Sequence, residues 1–304
     1  MSVKCGNSRT CFPRLLILSG NYFVLRTFLL GPLFVVLIIW LKFAGYNFAG
    51  MKGLKIYLIA FLLLLPLVGC AQKVKEYKLQ VLETLPHDRG AYTQGLFFHN
   101  GELYESCGQY GSSSFRKVDL KTGKDLRRLN FDGRYFVEGS CVLDNLLYIL
   151  TWQEHKCFVY DINSFKYLGE LYNPREGWGL TTNGKDLILS DGTSKIYFLD
   201  PQTFAVRSTK DVRMNGKPVT FLNELEYING EIWANVYVQD YIVIIDPATG
   251  VVKGKIDCKG LLPKSLRTPT TDVLNGIAVN PATGDLYLTG KYWPKMYRVK
   301  LVEK

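Results

Sequence analysis

The chain has 304 residues, of which 47% are hydrophobic and 13% aromatic, with 37 Lys and Arg against 27 Asp and Glu for a formal net charge of +10. So aromatic-rich and moderately charged a composition excludes an intrinsically disordered chain. Residues 1–69 hold seven basic and no acidic residues, and the other 235 residues carry a net charge of only +3. That near balance, without a basic stripe, disfavours nucleic-acid binding.

The N-terminal region predicts export and lipidation. Residues 51–55 (MKGLK) are a short positive segment, and the apolar run that follows ends in LVGC at Cys70. The run is shorter than the ~20 residues that cross a bilayer comfortably, and it fits a secretory signal. Because LVGC resembles a bacterial lipobox, we predict a lipoprotein signal peptide over 51–69 and a lipidated Cys70 with a tether over 70–76. A plain transmembrane anchor is the alternative.

The same region predicts where the protein resides. An exported protein with a lipidated cysteine is anchored to a bacterial membrane, on its periplasmic or outer face. Residues 1–50 contain a second apolar stretch interrupted by Gly31-Pro32, and Met51 is the better start. We interpret residues 1–50 as an upstream segment from an over-extended gene start.

From residue 77 onward the sequence has the period of β-strands and an internal repeat. Similar segments begin at Gly95, Gly139, Gly179, Glu224 and Gly276, at intervals of 44, 40, 45 and 52 residues. A four-stranded propeller blade has a period of ~40–50 residues. The repeat therefore predicts five blades.

Each repeat has the same internal order. A first strand leads into a tight turn such as Asn100-Gly101, Asp144-Asn145, Asn183-Gly184 or Asn229-Gly230. These dipeptides favour the positive φ angles of two-residue hairpins, so the first two strands are expected to be antiparallel neighbours. The fifth repeat ends after its third strand, and one strand, residues 77–85, precedes the first repeat. The predicted fold is therefore an all-β, five-bladed β-propeller over 77–304, whose last blade is closed by this N-terminal strand.

The cysteines and histidines indicate no metal site. After Cys70 come four scattered cysteines, with no CxxC and no Cys/His cluster at metal spacing. Cys141 and Cys157 lie two strands apart in one predicted blade, roughly 9–10 Å, which is too far for a disulfide. We predict that both are small apolar core residues and that no cofactor is required.

The first strands of a propeller line its central channel, so the residue before each repeat start is expected at one mouth of that channel. The second strands end at the same mouth, bringing Thr151-Trp152, Ser190-Asp191, Val236-Tyr237 and Gly290-Lys291. Apolar walls with a few aimed polar groups are the usual form of a small-ligand site. The residues before the repeat starts are Gln94, Glu138, Trp178, Asn223 and Asn275.

At these positions the sequence resembles a known family, the plant- and bacterial-type glutaminyl-peptide cyclotransferases. The resemblance covers essentially all of residues 85–301. It implies a five-bladed propeller that cyclises N-terminal glutamine to pyroglutamate with release of ammonia, independently of zinc. It rests on YTQGL (92–96), YGSS (110–113), EG (138–139), EGWGLT (176–181), SDGTSKIYFLDPQTF (190–204), LNELEYINGEIWANV (222–236), VLNGIA (273–278) and TGKYWPKMY (289–297).

The resemblance also implies roles for particular residues. Glu138 is expected to be the acid and base, Lys291 the donor to the developing oxyanion, and Asn223 a holder of the substrate's amide and amine. The expected substrate-binding residues are Gln94, Phe136, Trp152, Trp178 and Tyr237. The implied partners are peptides or proteins with N-terminal Gln, and the protein is expected to be a monomer.

Two positions depart from the family pattern. Val137 stands where a small glycine is expected, which would tighten the approach to Glu138. Tyr237 stands where tryptophan is usual, so this part of the wall would be smaller or carry a hydroxyl. Neither departure removes a group that moves protons.

Several alternatives stay open at this point. The propeller could bind a peptide or glycan without turnover, or be a metal-dependent, lactonase-like enzyme, although one glutamate and Asp191 make a poor cation cage. Asn223 and Asn275 leave a structural Ca²⁺ in the channel as an option. Glu138 could form a strut with Lys291, and Glu224 and Glu226 are expected to be solvated or to pack between blades.

Overall fold

Alternation of apolar and polar residues produces strands along nearly the whole of residues 73–304, the part of the chain that the computed structural model describes. The predicted signal peptide, Cys70 and residues 1–50 lie outside the described residues. No helix within residues 73–304 is both long and apolar enough to span a membrane.

The strands are numbered in chain order. The first thirteen are β1 Lys75–Pro86, β2 Thr93–His99, β3 Glu102–Cys107, β4 Ser114–Val118, β5 Asp125–Asn130, β6 Val137–Leu143, β7 Leu146–Thr151, β8 Lys156–Asp161, β9 Tyr167–Tyr172, β10 Leu180–Thr182, β11 Leu187–Ser190, β12 Lys195–Leu199 and β13 Val206–Asp211. The remainder are β14 Arg213–Met214, β15 Lys217–Pro218, β16 Leu222–Ile228, β17 Glu231–Val236, β18 Tyr241–Ile245, β19 Val252–Asp257, β20 Leu274–Val279, β21 Leu286–Gly290 and β22 Lys295–Glu303. A 3₁₀ turn lies at Lys264–Leu266.

Most strands pair antiparallel with their neighbours in the chain. Strands β2–β5, β6–β9 and β10–β13 are separate four-stranded sheets, and β14 and β15 form a small hairpin. The remaining strands form one eight-stranded sheet in the order β16-β17-β18-β19-β1-β22-β21-β20. The fold is all-β and propeller-like.

Strand β1 joins the beginning of the described chain to its end. It pairs antiparallel with β22, from Tyr77 opposite Glu303 to Pro86 opposite Lys295. The predicted pairing of the N-terminal strand with the last three strands is therefore confirmed. Strand β1 also pairs in parallel with β19, Lys75 opposite Gly254, which the sequence did not predict.

Three of the predicted tight hairpins are present. At Asn229-Gly230 the φ angles are 50° and 84°, as the two-residue turn with both central residues left-handed requires. Asn100-Gly101 and Asp144-Asn145 likewise have positive φ angles at both residues. The turn at Asn183-Gly184 is longer than predicted, because the Asn183 side chain accepts hydrogen bonds from the backbone of Lys185 and Asp186 and holds an open loop instead.

The repeat glycines allow neighbouring first strands to approach closely. A Cβ atom at Gly139 would lie 2.4 Å from the backbone nitrogen of Leu180, and one at Gly179 would lie 2.0 Å from the carbonyl oxygen of Asn223. No side chain fits there, so glycine is required by contact with the next first strand.

Glu224 occupies the equivalent position in the fourth repeat. Its carboxylate accepts hydrogen bonds from the backbone nitrogens of Leu96 on β2 (3.3 Å) and Ile277 on β20 (2.9 Å). Of the two predicted alternatives, solvated or packed between blades, the structure shows the packed one, because Glu224 is 2% exposed and connects three first strands inside the molecule. Its neighbour Glu226 contacts Thr181 and the backbone of Val279 in the same way.

Apolar clusters fill the space between adjacent sheets. One of them contains the stacked rings of Phe97, Tyr104 and Phe115, with centroids 5.6–6.2 Å apart. Val137 is fully buried in this cluster. Its side chain therefore packs between sheets, and the predicted tightening of the approach to Glu138 stays a prediction.

The four cysteines within residues 73–304 are free and buried. Cys141 and Cys157 both pack in one apolar cluster and form no bridge, as predicted. Burial raises the pKa of each thiol, so these cysteines are inert core residues.

Candidate active site

A β-bulge re-aims a side chain near the start of most first strands. Strand pairing shifts register between Thr93 and Gly95, between Val137 and Ser140, and at the corresponding points of β16 and β20. Such a bulge turns the extra residue out of the alternation. The bulged segments contain Gln94, Glu138, Asn223 and Asn275, four of the five residues that the repeat placed at the mouth.

These side chains contact one another. Gln94 on β2 donates a hydrogen bond of 3.0 Å from Nε2 to Oε1 of Glu138 on β6. Asn275 on β20 donates from Nδ2 to Oε1 of Gln94, at 3.3 Å, and to the carbonyl oxygen of Thr93. Gln94 and Glu138 are only 2% and 5% exposed. Three first strands therefore supply one connected polar cluster.

Two amide oxygens at the same mouth are buried without a partner. The Oδ1 atoms of Asn223 and Asn275 accept no hydrogen bond from residues 73–304. Buried acceptors are nearly always paired in native proteins, so unpaired ones point to a ligand with N–H groups. Of the two asparagines, Asn223 is the one that was predicted to hold an amide or amine of the substrate.

Lys291 follows β21 and faces the site from the fifth repeat. It is 3% exposed, and its Nζ lies 4.5 Å from the ring centroid of Tyr92 and 5.2 Å from that of Tyr237. Within residues 73–304, no carboxylate lies within the 4.0 Å of an ion pair with this ammonium. The strut between Glu138 and Lys291 that the sequence left open is therefore not formed.

Burial shifts both charged groups of the site toward their neutral forms. It raises the pKa of Glu138 well above its usual range, and the Lys291 charge opposes this while Glu154 and Glu176 reinforce it. Burial likewise lowers the pKa of Lys291, against the pull of Glu138 and Asp272. A carboxyl and an ammonium shifted in this way are matched to moving protons near neutral pH.

Aromatic rings form the walls. The Phe136 ring lies edge-on to Trp152, with centroids 5.6 Å apart, and the Trp178 ring lies edge-on to Tyr237 at 5.7 Å. Tyr92, which lies 6.0 Å from Phe136, is a wall residue that sequence reasoning did not nominate. Its place in YTQGL, two residues before Gln94, was the available signal.

Glu176 is the second residue that sequence reasoning missed. Its Oε2 accepts hydrogen bonds from Nε1 of Trp152 (2.9 Å) and Nε1 of Trp178 (3.0 Å). It opens the quoted EGWGLT motif, but nothing in the motif showed which indoles it reaches. Asp191, expected near the mouth, accepts hydrogen bonds from the hydroxyl groups of Thr193 and Tyr197.

Residues 73–304 contain no group of three or more His, Cys, Asp and Glu placed to hold a metal ion. The expectation that no metal is required stays a prediction, as does the Ca²⁺ option.

Comparison with known proteins places the chain in a family. A family model described as glutamine cyclotransferase matches residues 57–301. The chain belongs to the glutamine cyclotransferase family. It is 44% identical over 230 residues to the glutaminyl-peptide cyclotransferase of Arabidopsis thaliana, covering 74% of this chain and 71% of that protein. The crystal structure of Myxococcus xanthus glutaminyl cyclase superposes with a TM-score of 0.71 at 33% identity, covering 76% of this chain and 100% of that chain.

Proposed function

We propose that this protein is a glutaminyl-peptide cyclotransferase, which converts the N-terminal glutamine of peptides or proteins to pyroglutamate and releases ammonia. The observation that carries the proposal is the buried Glu138, fixed by Gln94 on one oxygen and facing the same mouth as Lys291. Family membership indicates which reaction is catalysed, and this arrangement of side chains indicates how it is catalysed.

Glu138 serves as base and then as acid. The substrate's α-amine nitrogen attacks the carbon of its own γ-carboxamide, forming the ring C–N bond, and Glu138 accepts the proton that the amine loses. When the C–N bond to the amide nitrogen breaks, Glu138 returns that proton and ammonia leaves. No proton is gained or lost by the enzyme over the cycle.

Lys291 stabilises the negative charge that develops in the reaction, and Asn223 orients the substrate. The carboxamide oxygen gains negative charge as the amine attacks, and the Lys291 ammonium is the donor for it. The unpaired Oδ1 of Asn223 accepts an N–H of the amine or amide. The aromatic walls favour the curled form of the glutamine side chain, and orientation is effective because the reaction is already intramolecular.

We further propose five blades, with β20–β22 completed by β1 as the fifth. The strand groups β2–β5, β6–β9, β10–β13 and β16–β19 support it, since each is a four-stranded antiparallel unit. We also propose a monomer that is lipidated at Cys70 and anchored to a bacterial membrane on its periplasmic or outer face. The lipobox-like sequence that ends at Cys70 supports the lipidation and the anchoring.

The test is turnover by the chain from residue 70 onward, with Cys70→Ser to keep it unlipidated. Peptides with N-terminal Gln should lose one ammonia by mass spectrometry, with EDTA present as well as absent. Glu138→Gln is the matched control. A folded sample that binds the peptides without turnover would indicate a ligand-binding propeller, and loss of activity in EDTA would overturn metal independence.

A further inference from the structure

One carboxylate binds both tryptophans of the wall. Glu176 lies between β9 and β10, and its Oε2 accepts from the indole nitrogens of Trp152 at 2.9 Å and Trp178 at 3.0 Å. Its other oxygen accepts from Gln153 Nε2 at 3.1 Å. Hydrogen bonds to an ionised acceptor are about twice as strong as neutral ones, so both ring orientations are strongly fixed.

The backbone fixes Glu176 in its turn. The nitrogen of Gly177 donates to the carbonyl oxygen of Trp152 at 3.0 Å, and that of Trp178 to Ser190 at 3.1 Å. A Cβ at Gly177 would lie 2.5 Å from the carbonyl oxygen of Thr151, so only glycine lets this segment lie against the end of β7. Glu176 is thereby held beside the point where Trp152 leaves the strand.

The remaining tryptophans within residues 73–304 show that packing alone does not call for such an acceptor. The indole nitrogen of Trp233 is buried without a partner, and that of Trp293 donates to the backbone oxygen of Asp272 at 2.9 Å. Burial alone would raise the pKa of Glu176, but the hydrogen bonds from Trp178, Trp152 and Gln153 lower it below its ordinary value. Glu176 is therefore an anion at neutral pH. Both indoles that donate to it, those of Trp152 and Trp178, belong to the wall of the site.

We propose that Glu176 is a positioning residue, which holds the planes of Trp152 and Trp178 at the separation that accepts a curled glutamine side chain. The inference rests on the proposed function. If the rings turn freely, the extended side chain is accepted as well, and fewer bound substrates have the amine near the γ-carbon. The loss then falls on kcat more than on KM, because the other binding contacts persist.

The experiment compares Glu176→Ala and Glu176→Gln with Glu154→Gln. Glu154 is the matched control, since its charge also raises the pKa of Glu138, while it bonds to Tyr110 and the backbone of Phe136 and to no indole. Steady-state kinetics on one Gln-peptide are measured together with tryptophan fluorescence and circular dichroism of each folded variant.

For Glu176→Ala we expect kcat to fall about tenfold, which corresponds to about 1.4 kcal/mol, with a change in KM below about threefold. The tryptophan emission maximum should shift. Glu176→Gln should recover part of kcat, because its amide oxygen still accepts from an indole, whereas Glu154→Gln should leave the emission unchanged.

Wild-type kcat in Glu176→Ala would overturn the proposal. So would equal losses in Glu176→Gln and Glu154→Gln without a change in emission, since charge alone would then explain both. If Glu176→Ala does not fold, the comparison of the two glutamine variants decides. If the wild type turns over no Gln-peptide but the emission responds to Glu176→Ala, the proposed function fails, while the conclusion that Glu176 holds the two tryptophan rings stands.

Discussion

Gln94 and Glu138 are joined across two neighbouring sheets by a hydrogen bond of 3.0 Å from amide Nε2 to carboxylate Oε1. The Oε1 of Gln94 accepts from Asn275, which orients the Gln94 amide with its nitrogen toward Glu138. Within residues 73–304 the second oxygen of Glu138 accepts no hydrogen bond from a side chain. The hydrogen bonds from Asn275 to Gln94 and from Gln94 to Glu138 therefore leave one carboxylate oxygen of Glu138 for the substrate.

Replacing Glu138 should separate activity from stability. Glu138→Gln should lower kcat by about 10²–10⁴, the usual contribution of general acid–base catalysis. The raised pKa of Glu138 means that folding favours the protonated form, so the ionised wild-type group destabilises the fold above its unfolded pKa. We therefore expect Glu138→Gln to have this lowered kcat, measured by ammonia release, but to melt at a higher temperature than the wild type at pH 8, measured by thermal unfolding. An inactive variant with a lower Tm would contradict this.

Lys291 should not tolerate arginine. The ammonium lies between the rings of Tyr92 and Tyr237, and a planar guanidinium differs from it in shape and in the directions of its donors. Lys291→Arg should reduce kcat about 100-fold, as expected for a misplaced oxyanion donor. The exposed Lys300 gives the control, because Lys300→Arg should retain wild-type kcat. Retention of rate by Lys291→Arg would remove Lys291 from its role.

Two glycines with similar backbone angles should differ sharply. Gly192 has φ of 78°, and a Cβ there would lie 2.6 Å from the Trp178 ring; Gly184 has φ of 83° and an open surrounding. Alanine costs about 1–2 kcal/mol of unfolding free energy at either position for its left-handed backbone. Gly192→Ala should in addition displace Trp178 and lower kcat, while Gly184→Ala keeps it. Equal kcat values in the two variants would show that the ring position is immaterial.

Glu226 should make stability fall with rising pH. Burial raises its pKa from 4.5 to about 8, so its stabilising protonated form is complete below about pH 4.5 and is lost as the pH rises through 8. Glu226→Gln should reduce the decrease in Tm between pH 5 and pH 9. Asp200→Asn is the control, because the pKa of Asp200 is lowered to about 2 by hydrogen bonds in its turn, so its effect is confined to acid. An unchanged slope in Glu226→Gln would refute the assignment.

Local sequence signals predicted much of the fold. Asn-Gly turns and strand alternation are properties of a few adjacent residues, and a repeat multiplies them, so the hairpins and the pairing of β1 with β22 were accessible. The parallel pairing of β1 with β19 was not, because it depends on how two sheets meet. At Asn183-Gly184 the dipeptide predicted a tight turn that does not form, because the Asn183 side chain accepts a hydrogen bond from the backbone of Asp186 and the turn is longer.

The site was predictable as a set of residues but less so as an arrangement. The repeat brought Gln94, Glu138 and Asn223 to one mouth without stating their contacts. The bulges that aim them arise from register shifts between strands, which no residue type encodes. Glu176 was missed because its partners come from two different segments of the chain.

The pairing of β1 with β22 has a consequence for the order in which the protein folds. Tyr77 is among the first described residues to be synthesised, and its partner Glu303 is among the last. The three separate four-stranded sheets consist of sequence neighbours and can assemble during translation, whereas β1, which can pair earlier only through Lys75–Lys78 with β19, cannot form its long antiparallel pairing until β22 has been made. Closing so long a loop is slow, and a waiting strand edge invites wrong pairing. A chain truncated before β22 should therefore be the aggregation-prone form of this protein.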